Sequence, residues 1–136
     1  MRSAFSSAMV QALVEAGVSF DWTYGNSGSA VHVATYLSHE PELAREYYTV
    51  FPGDPLFGGI RPFLRGDGFF NTKYLFSGTA RVEDRRMAPD WAAMKSNPGD
   101  FRISGFNGRT GETVHWSKRD MTGLDDFLLH ARASAS

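Results

Sequence analysis

Apolar and polar positions follow two different spacings along the chain, and together they predict an α/β domain. From Ser3 to Gly17 the apolar residues recur three and four positions apart, which predicts a helix between these residues. Residues 18–24 then alternate large apolar residues with polar ones, the pattern of a short strand that Gly25 ends. The mostly apolar segment from Ala30 to Leu37 predicts a helix that is buried against a sheet.

The rest of the chain predicts shorter elements that proline and glycine separate. An Asn-Gly turn between two alternating segments indicates a hairpin, and a capping box at Thr122 and Asp125 indicates a helix start. The predicted elements are a helix from Pro41 to Phe51, a short helix at 71–76, a helix at 89–95, a hairpin over 101–116 and a C-terminal helix after Thr122.

Residues 52–70 combine turn-forming residues with many apolar ones, and they predict an ordered apolar loop. Arg61 and Arg65 are interleaved with its apolar residues. If the loop is buried, it is a flap that closes the core; if it is exposed, it is a surface for lipid or for a protein partner. Of the two interpretations, the sequence favours the buried flap.

Composition and charge indicate a single domain and argue against nucleic acid as a partner. The chain of 136 residues is 42% hydrophobic, which is enough for one domain over 1–136 with its own core. Its 14 basic and 15 acidic residues give a net charge of −1, so there is no electrostatic case for nucleic acid as a partner.

The absence of cysteine excludes disulfides, a thiolate nucleophile and a Cys-based zinc site. No apolar run approaches the ~18 residues of a membrane span, and the N-terminus lacks the apolar block of a secretion signal. These features predict a soluble protein in the cytoplasm.

The segment Gly25-Asn26-Ser27-Gly28-Ser29 joins the predicted strand of residues 18–24 to the helix that follows. A serine on a sharp turn from strand to helix exposes its Oγ, and the next backbone N–H, that of Gly28, lies at a helix N-terminus where negative charge is favoured. The pattern therefore indicates a nucleophilic serine, Ser27.

Other candidate residues have simpler explanations. His32 lies five positions after Ser27, on a different face of the predicted helix, so we expect a structural histidine. The remaining histidines, His39, His115 and His130, lack the spacing of metal ligands, and no glycine-rich nucleotide-binding loop is present. We therefore expect no metal and no cofactor.

The order of these motifs resembles that of the patatin-like phospholipases, and particularly their bacterial esterase branch. The resemblance begins with the Ser27 turn and extends over nearly the whole chain. The other segments that carry it are Ala34-Thr35-Tyr36-Leu37-Ser38, Asp54-Pro55, Phe63-Leu64-Arg65-Gly66, Phe70, Tyr74-Leu75-Phe76, Thr110-Gly111-Glu112, Ser117-Lys118 and Arg132-Ala133-Ser134.

The resemblance implies a three-layer α/β fold with a mostly parallel sheet, and hydrolysis of lipid or small acyl esters by a Ser-Asp dyad through an acyl-enzyme. Ser27 is then the nucleophile and the Gly28 N–H one oxyanion donor, while Arg2 matches the basic residue of the oxyanion-loop motif. Peripheral contact with a membrane is part of the same expectation.

Two departures from the family pattern are informative. Ser29 replaces the last glycine of the Gly-x-Ser-x-Gly motif, which predicts a looser or displaced elbow. The dyad Asp of the family lies downstream of the segment that matches Arg132-Ala133-Ser134, and the only Asp-Gly here, at Asp67, matches a different region. Asp67 is therefore a disfavoured candidate for the base.

We accordingly expect the N-terminal portion of a patatin-like protein, truncated at both ends and inactive by itself. A truncated sheet would leave apolar faces uncovered and favour self-association. One alternative is a non-catalytic remnant that binds lipid or a partner through the apolar region 52–76. Another is a scaffold without a ligand, which the absence of a pocket beside Ser27 would favour.

Overall fold

A small mixed sheet forms the centre of the fold, and helices pack against it. The computed structural model describes residues 2–66, 69–77, 81–82 and 85–135, without the side chains of 2, 3, 51, 81, 82, 85 and 86. The helices are α1 (Arg2–Glu15), α2 (Ser29–Leu37), α3 (Pro41–Thr49), α4 (Ile60–Leu64), α5 (Thr72–Leu75), α6 (Trp91–Ser96) and α7 (Leu124–Ala135). The strands are β1 (Trp22–Asn26), β2 (Arg81–Val82), β3 (Arg85–Arg86), β4 (Asp100–Asn107) and β5 (Glu112–Ser117).

The central sheet has the order β1-β4-β5. Strand β1 is parallel to β4, with Trp22 opposite Asp100 and Asn26 opposite Ser104, whereas β4 and β5 form an antiparallel hairpin. The α/β class is therefore confirmed. The described sheet is mixed rather than mostly parallel, because the predicted hairpin adds its second strand directly beside the parallel pair.

One face of the sheet is covered and the other is open. Phe101 and Ile103 of β4 are fully buried, and the ring of Phe101 meets that of Phe127 on α7 edge to face. On the opposite face, Trp22 and Tyr24 of β1 stack on each other and are half exposed. Within the described chain, therefore, one layer of helices lies against the sheet.

Helix α2 forms the middle of the core, as its apolar sequence predicts. Every residue from Ala30 to Leu37 is buried. Helices α1 and α3 pack against α2 and against each other, and the hydroxyl of Ser7 on α1 donates a hydrogen bond to the carbonyl of Ala44 on α3. This packing fixes the start of α2, where the Ser27 turn lies.

Strand β1 begins later than its alternating pattern indicates. The hydroxyl of Tyr36 donates to the carbonyl of Val18 at 2.8 Å and accepts from the N–H of Phe20 at 2.9 Å. The Tyr36 hydroxyl thus forms the hydrogen bonds that a neighbouring strand would otherwise form with these backbone groups. Regular pairing of β1 with β4 therefore starts at Trp22. The strand ends one residue past Gly25, at Asn26.

The cap of α7 is also shifted by one position. Both the backbone N–H and the hydroxyl of Thr122 donate to the carboxylate of Asp126, whereas the capping box predicts that the Thr122 N–H donates to the carboxylate of Asp125. The predicted helix is otherwise confirmed.

The apolar segment 52–70 is ordered but largely exposed over its described residues, so the favoured interpretation as a buried flap is wrong for most of it. Ile60, Phe63 and Leu64 of α4 are 71%, 63% and 77% exposed. Among the described residues of the segment, Phe57 packs against the core beside the exposed ring of Phe70, and Pro62 is buried. The segment therefore presents apolar side chains to solvent.

Candidate active site

Ser27 lies at the sharp turn between β1 and α2 and has a left-handed backbone, with φ of 55°. This conformation costs a non-glycine residue about 1–3 kcal/mol, and it persists only where the surrounding structure imposes it. The side chain of Ser27 is exposed. A strained, exposed serine at the end of a strand is the geometry that a nucleophile elbow requires.

Gly25 makes the tight turn sterically accessible. A Cβ built on Gly25 would lie 2.8 Å from the carbonyl oxygen of Ser29 and 3.0 Å from the Cα of Ala30. Both neighbours are backbone atoms at the start of α2, so they cannot move aside without shifting the helix. The close approach of strand and helix therefore occurs at Gly25.

Ser29, for which the sequence predicts a looser or displaced elbow, forms two hydrogen bonds within the turn. Its hydroxyl donates to the carbonyl of Asn26 at 2.7 Å and accepts from the N–H of Asn26 at 2.6 Å. Ser29, which stands where the resembled family has glycine, thus bonds both backbone groups of Asn26 within the same turn.

Gly28 begins α2 as its N-cap, with a helical backbone and a carbonyl that accepts the first helical hydrogen bond, from the N–H of Val31. The Tyr48 hydroxyl also donates to this carbonyl, at 2.8 Å. Among the described residues, no acceptor is found for the N–H of Gly28. An N–H at a helix N-terminus next to the serine is suited to binding an oxyanion.

A cavity of about 340 Å³ opens directly beside Ser27 and Gly28. This volume lies in the ~300–1,000 Å³ range of small-molecule sites. The lining is almost entirely apolar and aromatic, and it includes Val31, Tyr48, Phe57, Phe70, Leu75 and Phe76. A pocket beside Ser27 argues against the alternative of a scaffold without a ligand.

The two tyrosines that line the cavity are neutral hydrogen-bond donors. Burial raises the pKa of Tyr47 well above its ordinary value, with smaller contributions from Tyr48 and Glu40, and burial likewise raises the pKa of Tyr48. The Tyr47 hydroxyl donates to the Met87 carbonyl at 2.7 Å. Neither tyrosine is therefore suited to act as a base near neutral pH.

No base is found beside Ser27 in the described part of the chain. No carboxylate or histidine of the described residues lines the cavity. His32 lines a different cavity, with residues of α1 and β1, and its ring lies 4.7 Å from that of Tyr48. Ser27 and His32 thus do not share a pocket.

Two predicted site residues are not tested by the geometry. Asp67, the disfavoured candidate base, lies outside the described residues. Arg2 is the first residue of α1, and its side chain also lies outside the described part. Gly25, Ser27, Gly28 and Ser29 are all brought together at the elbow.

Two contacts at the elbow were not foreseen from the sequence. Tyr48 reaches the Gly28 carbonyl from α3, and Ser134 accepts a hydrogen bond from the Ser27 N–H at 2.7 Å from the last turn of α7. The segment Arg132-Ala133-Ser134 was noticed only as part of the resemblance. For Tyr48 the sequence carries no signal, because its role depends on how α3 packs on α2.

Comparisons of the chain with protein-family models, with curated proteins and with solved structures found no match. Over the residues that the structure describes, no cluster of three potential metal ligands occurs, and no helix has the length and apolar character to cross a membrane. The family and the cytoplasmic location expected from the sequence stay predictions.

Proposed function

We propose that this chain is a serine acyl hydrolase of the patatin type, in which Ser27 attacks the carbonyl of a lipid or small acyl ester. The observation that carries the proposal is the placement of a strained, exposed serine at the mouth of an apolar cavity of about 340 Å³. An apolar cavity suits the acyl chain, and the adjacent serine suits the ester carbon.

The Gly28 N–H supplies the oxyanion donor in this proposal. As the Ser27 Oγ bonds to the carbonyl carbon, its proton passes to water, negative charge develops on the carbonyl oxygen, and the start of α2 stabilises that charge. The ester C–O bond then breaks, the leaving alkoxide takes up a proton from water, and the acyl group stays on Ser27. Resolution of this acyl-enzyme requires a base to activate water, and the described residues provide none beside Ser27.

We therefore expect Ser27 to be acylated without subsequent turnover of the acyl-enzyme. An activated donor such as p-nitrophenyl hexanoate has a good leaving group and needs little help from a base. We expect a burst of about one equivalent of p-nitrophenol per chain, without sustained turnover, as for an acyl-enzyme that accumulates. An ordinary alkyl ester should not react measurably.

Ser27→Ala should abolish the burst. The matched control is Ser96→Ala, because Ser96 is an exposed serine whose hydroxyl donates to the Ala93 carbonyl on α6. A burst that survives Ser27→Ala, or no burst from folded protein, would refute the proposal.

Acyl length provides a second readout of the same site. Each buried methylene contributes ~0.8 kcal/mol, so the acylation rate constant at low substrate should rise about fourfold per methylene until the cavity is full. A rate that is independent of acyl length would show that the cavity does not bind the acyl chain.

A second candidate function is binding to a lipid surface without catalysis, and the exposed α4 favours it. We define the α4 surface as Ile60, Phe63 and Leu64 with the neighbouring exposed cations Arg61 and Arg65. Apolar side chains among cations suit the boundary between acyl chains and anionic headgroups. Phe70 lines the cavity and pairs with Gly58, two residues before α4.

This candidate is tested by sedimentation with vesicles of phosphatidylcholine that contain or lack phosphatidylserine. Burying a phenylalanine side chain is worth ~1.5–3 kcal/mol, so Phe63→Ala should lower partitioning about tenfold or more. Phe70→Ala should also weaken it, whereas Ser27→Ala should not. The control is Phe106→Ala, since Phe106 is 70% exposed on β4. Equal binding by Phe63→Ala and the unaltered protein would exclude the candidate.

A further inference from the structure

The end of α7 contacts the Ser27 elbow through one hydrogen bond between residues 107 positions apart in the chain. The N–H of Ser27 donates to Ser134 Oγ at 2.7 Å, and the Ser134 hydroxyl in turn faces Asn26 Oδ1 at 3.4 Å. Ser134 is only 9% exposed. The next residue, Ala135, lines the apolar cavity.

The orientation of the Ser134 side chain is unusual for a helix. A serine inside a helix commonly points its hydroxyl to solvent or donates it to the carbonyl one turn back. The hydroxyl of Ser134 instead lies across the gap between α7 and the turn, where it accepts from Ser27 and donates toward Asn26. The helix thus presents an acceptor to the elbow.

The N–H of Ser27 has no place in regular secondary structure. The pairing of β1 with β4 ends at Asn26, and α2 begins at Ser29. With φ of 55°, the Ser27 peptide is held in a conformation that it would not adopt by itself. A buried acceptor opposite this N–H favours that conformation over the relaxed one.

We propose that Ser134 is a positioning residue, which holds the Ser27 peptide so that the serine Oγ faces the cavity. This inference rests on the proposed role of Ser27 as a nucleophile. Ser134 takes no part in the chemistry, because it acts on the Ser27 backbone. Its loss should therefore lower the reactivity of Ser27 without changing how the cavity binds an acyl chain.

The test is the rate of covalent labelling by an alkyl fluorophosphonate, measured over a range of reagent concentrations. In Ser134→Ala we expect the maximal rate to fall about fivefold to tenfold, the effect of one net hydrogen bond, with an unchanged half-saturating concentration. Ser134→Thr keeps the hydroxyl and should restore most of the rate. Ser96→Ala is the control for a serine away from the elbow.

A second measurement does not depend on the reaction of Ser27 with the fluorophosphonate. The amide hydrogen of Ser27, followed by NMR, should exchange faster with solvent in Ser134→Ala than in the unaltered protein or Ser134→Thr. Equal exchange in all three would overturn the inference, as would a change confined to the half-saturating concentration.

The outcomes also separate the two proposals. If folded, unaltered protein is not labelled, the proposed function fails and the positioning role fails with it. If the unaltered protein is labelled and Ser134→Ala is labelled at the same rate, only the positioning role is wrong.

Discussion

Ser27 combines a strained backbone with an exposed side chain, and its neighbours account for both features. Gly25 leaves room for α2 to approach β1, and Ser29 closes the turn through two hydrogen bonds to Asn26. The sequence predicted the serine and its turn because glycine and serine have strong local preferences. It did not predict the hydrogen bonds of Ser29, because a hydrogen bond to the turn depends on where the hydroxyl lies in space.

Gly25 has little steric freedom at the elbow, because an added Cβ would meet backbone atoms of α2. We expect Gly25→Ala to lower the free energy of unfolding by about 1–3 kcal/mol, the range for an inserted group that forces backbone to shift. The measurement is urea denaturation. Gly108→Ala is the control, since a Cβ at Gly108 meets nothing within 4 Å, and it should change stability by under ~0.5 kcal/mol. Equal stability of the two variants would contradict the close approach.

At the scale of elements, periodicity predicted most of the helices, and tertiary contacts decided their limits. The apolar spacing of α1, α2, α3 and α7 is local information, so the positions of these helices agree with prediction, but Phe5 and Met9 of the predicted apolar stripe of α1 are 74% and 56% exposed. The late start of β1 depends on Tyr36, and the contact of α7 with Ser27 joins distant parts of the chain. Neither could be read from a local pattern.

The cap of α7 predicts how stability depends on pH. Hydrogen bonds from the Thr122 side chain and backbone lower the pKa of Asp126 below its ordinary value. Since the folded pKa lies below the unfolded one, the contribution to stability is present above the unfolded value of about 3.9 and is lost as the pH falls through the folded pKa.

Asp126→Asn should therefore show a smaller loss of stability between about pH 5 and pH 2 than the unaltered protein, measured by thermal unfolding. The control is Asp125→Asn, which removes the same charge from the neighbouring residue but not the acceptor of Thr122. An identical pH profile for Asp126→Asn and Asp125→Asn would show that the cap contributes nothing specific.

At the scale of the whole molecule, the sheet has an open face and an edge strand. Trp22 and Tyr24 are 52% and 46% exposed on β1, and in the described sheet β1 pairs with β4 alone. The sequence predicted the class of fold and the hairpin, but a pattern of alternation does not specify which strand pairs with which. The mixed strand order β1-β4-β5 could therefore be determined only from the structure.

Exposed aromatic residues on an edge strand favour association between copies of the chain. We expect sedimentation velocity to show a mass that rises with concentration, and we expect Trp22→Lys to reduce this rise. The control is Leu129→Lys, because Leu129 is 60% exposed on α7. A monomer at all concentrations would contradict the expectation that the open face associates.

We propose that its strained backbone and its place beside the cavity prepare Ser27 for reaction. The most direct measurement is the intact mass of folded protein after treatment with an alkyl fluorophosphonate, followed by peptide mapping. We predict one adduct on Ser27, which is absent in Ser27→Ala and in protein unfolded before treatment. Folded protein that gains no adduct, or that carries the adduct on another residue, would contradict the account.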